Sequence, residues 1–188
     1  MPSIRTFISI PTPSNVRQDL TDIQTELKSA HAEVKWEPPE KLHITLRFLG
    51  DVDEQLLPLL MADCSKAICN LNSFSLVYEG FGCFPDIRNP RIIWSGSHND
   101  DGILIRLKKE IDDTIARHGF DRETRAFYPH ITLARVKGRH NIPNLIKMLQ
   151  SVTFEPHPVI IDEVHFMKSE LRPTGSIYTK MQTIALQK

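Results

Sequence analysis

The stretch LHITLRFLG, residues 42–50, contains the tetrapeptide His-Ile-Thr-Leu, and the stretch PHITLAR, residues 129–135, contains it again. The two copies begin at His43 and His130, 87 residues apart. A repeat of four residues is weak evidence alone, so its weight depends on whether the similarity continues on both sides.

The hydrophobic pattern around the two copies recurs at nearly the same spacing. β-Branched and aromatic residues predict a strand over 4–10, which falls on 91–97 in the second half. An apolar stripe predicts a helix capped by Ser14, and its counterpart is a helix capped by Asp100 or Asp101.

The remaining elements follow in the same order in both halves. They are strand 42–49 ended by Gly50 and Asp51, helix 53–70 and strand 74–81, then the strand of His130, helix 143–150, strand 161–168 and a last strand over 177–186. We therefore predict a single α+β domain over residues 1–188, with an internal repeat of about 1–87 and 88–174 and the C-terminal strand 177–186. It is expected to form two pseudo-symmetric lobes of mainly antiparallel sheet with helices outside and an active-site cleft between the lobes.

Composition narrows the class of protein. Hydrophobic residues make up 40% and charged residues 24% of the chain, and 23 Lys and Arg balance 23 Asp and Glu. Such balance argues against a protein that coats long nucleic acid, but it allows a local positive pocket. Three cysteines without metal-site spacing, no signal peptide and no long apolar run lead us to expect a cytoplasmic protein that does not bind a membrane, and nothing in the sequence implies a protein partner. The absence of heptads makes a monomer the default.

Strand alternation places each histidine beside a hydroxyl. His43 and Thr45 share one face of a strand, and Ile44, Leu46 and Phe48 share the other. The same holds for His130 and Thr132 in the second copy. If a two-fold axis relates the copies, two imidazoles and two hydroxyls meet across one bound group.

This set of groups suits cleavage of a phosphodiester without a metal. In-line displacement needs a base for the attacking oxygen and an acid for the departing one, and histidine titrates in the useful range. Threonine hydroxyls can donate to the non-bridging oxygens. Strict alternation puts Arg47 on the face of His43, where it would add positive charge. It puts Arg135 on the far face, so Arg135 reaches the pocket only if the strand twists, bulges or ends there.

Two plainer interpretations compete with this one. A strand histidine flanked by Leu and Ile is usually structural, and duplication of the fold alone does not require His and Thr to persist in both copies. A zinc site would need a third and a fourth ligand. The other six histidines show no close ligand pairing.

Four stretches resemble the 2H phosphoesterase superfamily, and within it the RNA 2′,3′-cyclic phosphodiesterases, also called 2′-5′ RNA ligases. They are WEPPEKLHITLRFLG (36–50), FGCFPDIRNPRIIW (81–94), FYPHITLAR (127–135) and VHFMKSELRPTGSIY (164–178). The resemblance implies metal-independent hydrolysis of a 2′,3′-cyclic phosphate at an RNA or nucleotide end, leaving a 2′-phosphomonoester. The partners it implies are RNA termini or nucleoside cyclic phosphates, with no cofactor.

The same resemblance implies the residue roles. His43 would be the proton donor and His130 the proton acceptor, while Thr45 and Thr132 would hold the phosphate. Arg135 matches the arginine that closes the second motif. Three alternatives stay open: a 2′-5′ phosphodiesterase, a ligase running the reverse reaction, and a non-catalytic module that binds RNA ends or nucleotides.

Overall fold

A computed structural model describes residues 2–173 and 175–188. In chain order its elements are β1 (Ser3–Pro11), α1 (Ser14–Lys28), β2 (Val34–Trp36), a 3-10 turn (Pro39–Lys41), β3 (His43–Asp53), α2 (Leu57–Ile68), β4 (Phe74–Phe84), β5 (Ile92–His98), α3 (Ile103–Arg117), β6 (His130–Val136), α4 (Ile142–Ser151), β7 (His157–Ile161), β8 (Glu163–Arg172) and β9 (Gly175–Ala185).

The strands form one large antiparallel sheet in the order β7-β4-β5-β6-β3-β1-β8-β9. The short strand β2 pairs with the C-terminal end of β6, from Ala134 to Val136. The two strands that begin with the repeated histidines, β3 and β6, are neighbours at the centre, where Ile44 pairs with Ile131. The predicted α+β class with mainly antiparallel sheet is confirmed. The sheet order alone thus brings the two copies of the motif together.

The strand that ends each predicted repeat, β4 in the first and β8 in the second, pairs with strands of the other half. β4 pairs with β5 and β7, and β8 pairs with β1. The helices show the same exchange, since α2 packs against α3 and α1 against α4. On either side of the β3–β6 pair, β1 and β5 occupy equivalent places, as do β8 and β4. This arrangement agrees with a two-fold relation, although the internal repeat itself stays a prediction.

The helices are anchored by the apolar stripes that the sequence predicts. The stripe of α3 is 2% exposed or less at each position: Leu104, Leu107, Ile111 and Ile115. Truncation of such a leucine to alanine typically costs about 2–5 kcal/mol, because the cavity left behind collapses only partly. No helix among the described residues is long and apolar enough to cross a membrane.

Several predicted boundaries are wrong for local reasons. Gly50 does not end β3: it takes a φ of 71° at an irregularity in the pairing with β1, and the strand continues to Asp53. A left-handed glycine is a usual component of such a bulge. Ser14 is the first residue of α1 and not its cap, since Pro13 holds the cap position without a side-chain bond. Gly102 caps α3, although the Asp101 carboxylate accepts a bond from the N–H of Ile103.

Two short strands, β2 and β7, were not predicted from the sequence; they have three and five residues. Strands this short carry too little alternation to recognise, and Pro158 further weakens the pattern of β7. β2 matters for function because it brings the segment before the first motif against β6.

Candidate active site

Each histidine strand carries a bulge directly after its threonine. In the first half Ile8 pairs with Arg47 and Ser9 pairs with Thr45, so Leu46 is an extra residue on β3. A bulge of this kind reverses the alternation of side chains beyond it, because two residues on one strand oppose one on its partner.

The second half repeats the bulge at the equivalent place. Ile93 pairs with Ala134 and Trp94 pairs with Thr132, so Leu133 is the extra residue on β6. The bulged residues are 87 apart, but their partners on β1 and β5 are 85 apart. The strand predicted over 91–97 is β5 (Ile92–His98), but beside the bulges its positions correspond to those of β1 at a spacing of 85 residues and not 87.

The bulges overturn two predictions from strict alternation. Phe48, and not Arg47, joins the face of His43 and Thr45: Phe48 is 64% exposed, whereas Arg47 is 8% exposed and lies outside the cavity. Arg47 is thus not among the residues that the structure brings together. On β6 the same shift turns Arg135 toward His130, which is the condition under which the sequence placed it in the pocket.

The central register sets the relation between the two motifs. Extending the Ile44–Ile131 pair by one residue in each direction places His43 opposite Thr132 and Thr45 opposite His130. Directly opposed residues of an antiparallel pair share a face, with Cβ atoms about 4.5–5.5 Å apart. Each histidine is therefore paired with the threonine of the other copy, and the two imidazoles occupy diagonal corners.

These side chains open into one cavity of about 640 Å³. Its lining is Glu37, Lys41, His43, Thr45, Leu46, Phe48, Phe84, Ile92, Glu123, Arg125, Ala126, Phe127, Tyr128, His130, Thr132, Arg135 and Tyr178. Of the six residues that the sequence singles out, five lie in it. A mixed apolar and polar lining of this size is typical of a site for a small ligand.

Both imidazoles are oriented by the same backbone bond. Nδ1 of His43 lies 2.7 Å from the carbonyl oxygen of Lys41, and Nδ1 of His130 lies 2.6 Å from that of Tyr128. Because a carbonyl only accepts, Nδ1 donates in both rings. Nε2 is then the nitrogen left for proton transfer, and in His43 it lies 3.1 Å from the Thr45 hydroxyl.

Aromatic rings pack against each histidine, but in different ways. The His43 ring stacks on Phe7 at 5.0 Å between centroids and meets the edge of Tyr178 at 5.5 Å. The His130 ring makes an edge-to-face contact with Phe84 at 4.9 Å. These contacts fix the planes of the two imidazoles and shield them from water.

Burial lowers the pKa of both histidines by disfavouring the charged form. At His43 the carbonyl of Lys41 and the carboxylate of Glu37 raise the pKa, and the positive charges of His130 and Arg135 lower it further. At His130 the carbonyl of Tyr128 raises the pKa, and the Arg135 guanidinium lowers it. The two rings therefore differ in the charge that acts on them, since Glu37 influences His43.

Positive charge in the cavity comes from three side chains. Arg135 donates from Nε to the Glu37 carboxylate at 2.9 Å, yet its side chain is 45% exposed. Lys41 Nζ lies 5.8 Å from the centre of the Tyr178 ring. Arg125 stands on the segment that precedes the second motif.

Sequence reasoning missed several of these residues. Tyr178 comes from β9, which the predicted repeat leaves out, so the comparison of the two halves did not point to it. Glu37 enters because β2 pairs with β6, a pairing that the sequence did not reveal. Phe48 was assigned to the wrong face, and equal bulges on two strands leave no signal in the pattern of either strand alone.

Among residues 2–173 and 175–188, no group of three or more His, Cys, Asp or Glu side chains is arranged to hold a metal ion. Independence from metals stays a prediction, because only a measurement of the reaction tests it.

Comparisons with known proteins point to one family. The model of the family described as "LigT like Phosphoesterase" matches residues 10–94 and 99–178. A protein of Methanothermobacter thermautotrophicus named RNA 2′,3′-cyclic phosphodiesterase is 36% identical over 97% of this chain and 99% of its own length. One of Thermotoga maritima with the same name is 34% identical over 93% of this chain and 91% of its own.

Solved structures agree with these matches. A Thermus thermophilus protein is 26% identical with a TM-score of 0.79, and 98% of each chain is covered. Escherichia coli LigT in complex with 3′-AMP has the same TM-score at 24% identity, with 99% of each chain covered, and supports the fold. Given the near-complete family match and the two relatives above 30% identity, the chain belongs to the LigT-like phosphoesterase family.

Proposed function

We propose that the protein hydrolyses the 2′,3′-cyclic phosphate at RNA or nucleotide ends and leaves a 2′-phosphomonoester. One observation carries the proposal: two imidazoles, each fixed at Nδ1 by a backbone carbonyl, open into one cavity together with Thr45 and Thr132 on two neighbouring strands. The relatives named RNA 2′,3′-cyclic phosphodiesterase support the choice of substrate.

In this reaction His130 Nε2 takes a proton from water, whose oxygen attacks phosphorus. The bond from phosphorus to O3′ breaks on the opposite side, and His43 Nε2 gives its proton to O3′. The hydroxyls of Thr45 and Thr132 donate to the non-bridging oxygens, and Arg135 offsets their charge. At the end His43 is neutral and His130 is protonated, so the next turnover requires the proton to return.

The charges around the two rings support this division of roles. Glu37 favours the protonated form of His43, which the acid needs. Arg135 lowers the pKa of both rings and so favours a neutral His130, which the base needs, while at His43 the Glu37 carboxylate opposes it. The bound phosphate adds a negative charge to a cavity in which burial lowers both pKa values, and so raises the protonated fraction of His43.

The test is identification of the product from a nucleoside 2′,3′-cyclic phosphate in the presence of EDTA. We expect ring opening at an undiminished rate with 2′-phosphate as the sole product. Loss of turnover in EDTA would contradict metal independence, and 3′-phosphate would contradict the placement of the acid. Tight binding without turnover of any cyclic phosphate would favour a binding module, and cleavage of 2′-5′ linkages alone would favour the phosphodiesterase or ligase alternative.

We further propose that the protein acts as a cytoplasmic monomer. Both His-x-Thr motifs lie on neighbouring strands of one chain, so the proposed acid and base come from a single copy. Light scattering across a range of concentrations tests this, and a dimer that persists on dilution would contradict it.

A further inference from the structure

Arg47 sits at the centre of a charged cluster behind the cavity. Its guanidinium Nη1 lies 3.3 Å from the Glu123 carboxylate and 3.8 Å from that of Asp112. Lys108 forms ion pairs with the same two carboxylates. The side chains of Arg47 and Lys108 are only 9% and 8% exposed, so the two cations are buried, while the Glu123 carboxylate that they share reaches the surface.

The network holds one segment of the chain. Residues 118–129 connect α3 to β6 without a helix or strand of their own. Arg47 donates to the carbonyl of Asp121 and to the carboxylate of Glu123, both in this segment. Lys108 lies over the Phe127 ring, 5.7 Å from its centre. A connection of about a dozen residues without regular structure is unusual in a small domain and is often functional.

The same segment forms one wall of the cavity. Glu123, Arg125, Phe127 and Tyr128 all line it, and the carbonyl of Tyr128 orients the His130 ring. The cations also neutralise Glu123, whose carboxylate would otherwise face an anionic substrate. Arg47 takes part in both effects from the face of β3 that lies outside the cavity.

We propose that Arg47 is a positioning residue for the reaction: it fixes the wall 118–129 and keeps the Glu123 carboxylate paired. The kinetic part rests on the proposed cyclic phosphodiesterase activity. This positioning role differs from the role that the sequence predicted for Arg47, which was to add positive charge in the pocket, because Arg47 acts through the wall and does not contact the phosphate.

The proposal is tested by replacing Arg47 with methionine, which keeps most of the side-chain length without the charge. We expect KM for a nucleoside 2′,3′-cyclic phosphate to rise about tenfold, since small misplacements of binding groups have large effects. We expect a smaller fall in kcat, about threefold, because the Tyr128 carbonyl that orients His130 belongs to the wall, whereas both His-x-Thr motifs stand on paired strands. Arg47→Lys, which retains the charge, should recover part of the loss.

Limited proteolysis provides a readout that needs no substrate. Arg122 and Arg125 are exposed tryptic sites within the wall. Cleavage there tracks how often the wall opens, so Arg47→Met should speed it about tenfold relative to cleavage elsewhere in the chain. Lys168→Met, which removes an exposed ion pair with Glu170 on β8, is the matched control and should change neither readout.

Each outcome bears on the proposal. Unchanged cleavage and KM in folded Arg47→Met would overturn it, as would faster cleavage with unchanged KM, because the wall would then be held without consequence for binding. If Arg47→Met does not fold, Glu123→Ala, at a half-exposed position, must show faster cleavage at Arg122 and Arg125, and unchanged cleavage would overturn the proposal. If the unaltered protein turns over no cyclic phosphate, the proposed function fails, while proteolysis still decides whether Arg47 holds the wall.

Discussion

The two halves of the cavity have the same backbone and different surroundings. Both contain His-x-Thr, a bulge after the threonine and a carbonyl that accepts from Nδ1. At the first position that the bulge turns toward the cavity, one half has Phe48 and the other has Arg135. The backbone thus makes two equivalent proton-transfer positions, and single side chains make them unequal. Aromatic rings pack against both histidines, but Glu37 raises the pKa of His43 alone among the two, and Arg135 takes the position in the second half that Phe48 takes in the first.

The largest loss of activity is expected when either imidazole is removed, because the two halves supply one proton-transfer group each. We expect His43→Ala and His130→Ala each to lower kcat by about 10³-fold, with little further loss in the double variant, because acid and base act in the same step. Steady-state kinetics on a nucleoside 2′,3′-cyclic phosphate measures the loss. His165→Gln is the control: this histidine lies outside the cavity, and its Nε2 is 2.9 Å from Oε1 of Glu163. Full activity in either alanine variant would refute the assigned roles.

Separate substitutions of Arg135 and Phe48, the side chains that the bulges turn into the cavity, should show which half contributes more to phosphate binding. Arg135→Met should lower kcat/KM by about 10- to 100-fold, because it removes a charge beside the developing negative charge. Phe48→Leu should lower it only about threefold, since it reduces apolar contact without removing charge. Arg139→Met, at an exposed arginine outside the cavity, serves as the control. A larger loss of kcat/KM in Phe48→Leu than in Arg135→Met would contradict the proposal that the half with Arg135 contributes more to phosphate binding.

The unequal charges predict a shift in the pH profile. A base that must be neutral and an acid that must be protonated give a bell-shaped dependence of kcat/KM on pH. Glu37→Gln removes the carboxylate that raises the pKa of His43, so the alkaline limb should move to lower pH. An unmoved limb, or a shift to higher pH, would mean that Glu37 does not act on the acid.

The smallest expected effect is on stability. Burial lowers the pKa of His43, His130 and His165 in the folded protein, so the unfolded chain binds more protons below pH about 6.5. The free energy of unfolding should therefore be fully retained above that pH and decrease as the solution is acidified through it. Urea unfolding at a series of pH values should show a flatter decrease in His43→Gln than in the unaltered protein. His140→Gln, at an exposed position, should leave the slope unchanged.

The sequence predicted the structure correctly wherever local periodicity alone determines which way a side chain faces. Helical stripes such as that of α3 and the alternation of His43 with Thr45 depend on local periodicity, and both were predicted correctly. Arg47 and Phe48 were misplaced because a bulge depends on the partner strand, which the local sequence does not describe. Glu37 and Tyr178 reach the cavity only through the pairing of β2 with β6 and of β9 with β8. Their positions are set by long-range topology that the sequence pattern left open.

The exchange of β4 and β8 has a consequence for how the chain folds. A fragment that ends after β4 would lack both β5 and β7, the strands with which β4 pairs. Likewise, the second half alone would leave β8 without β1. Neither half can complete its own sheet, so we expect the chain to unfold in a single cooperative transition and its separated halves to fold only when mixed. The cavity would then assemble in one step, with both histidines arriving together.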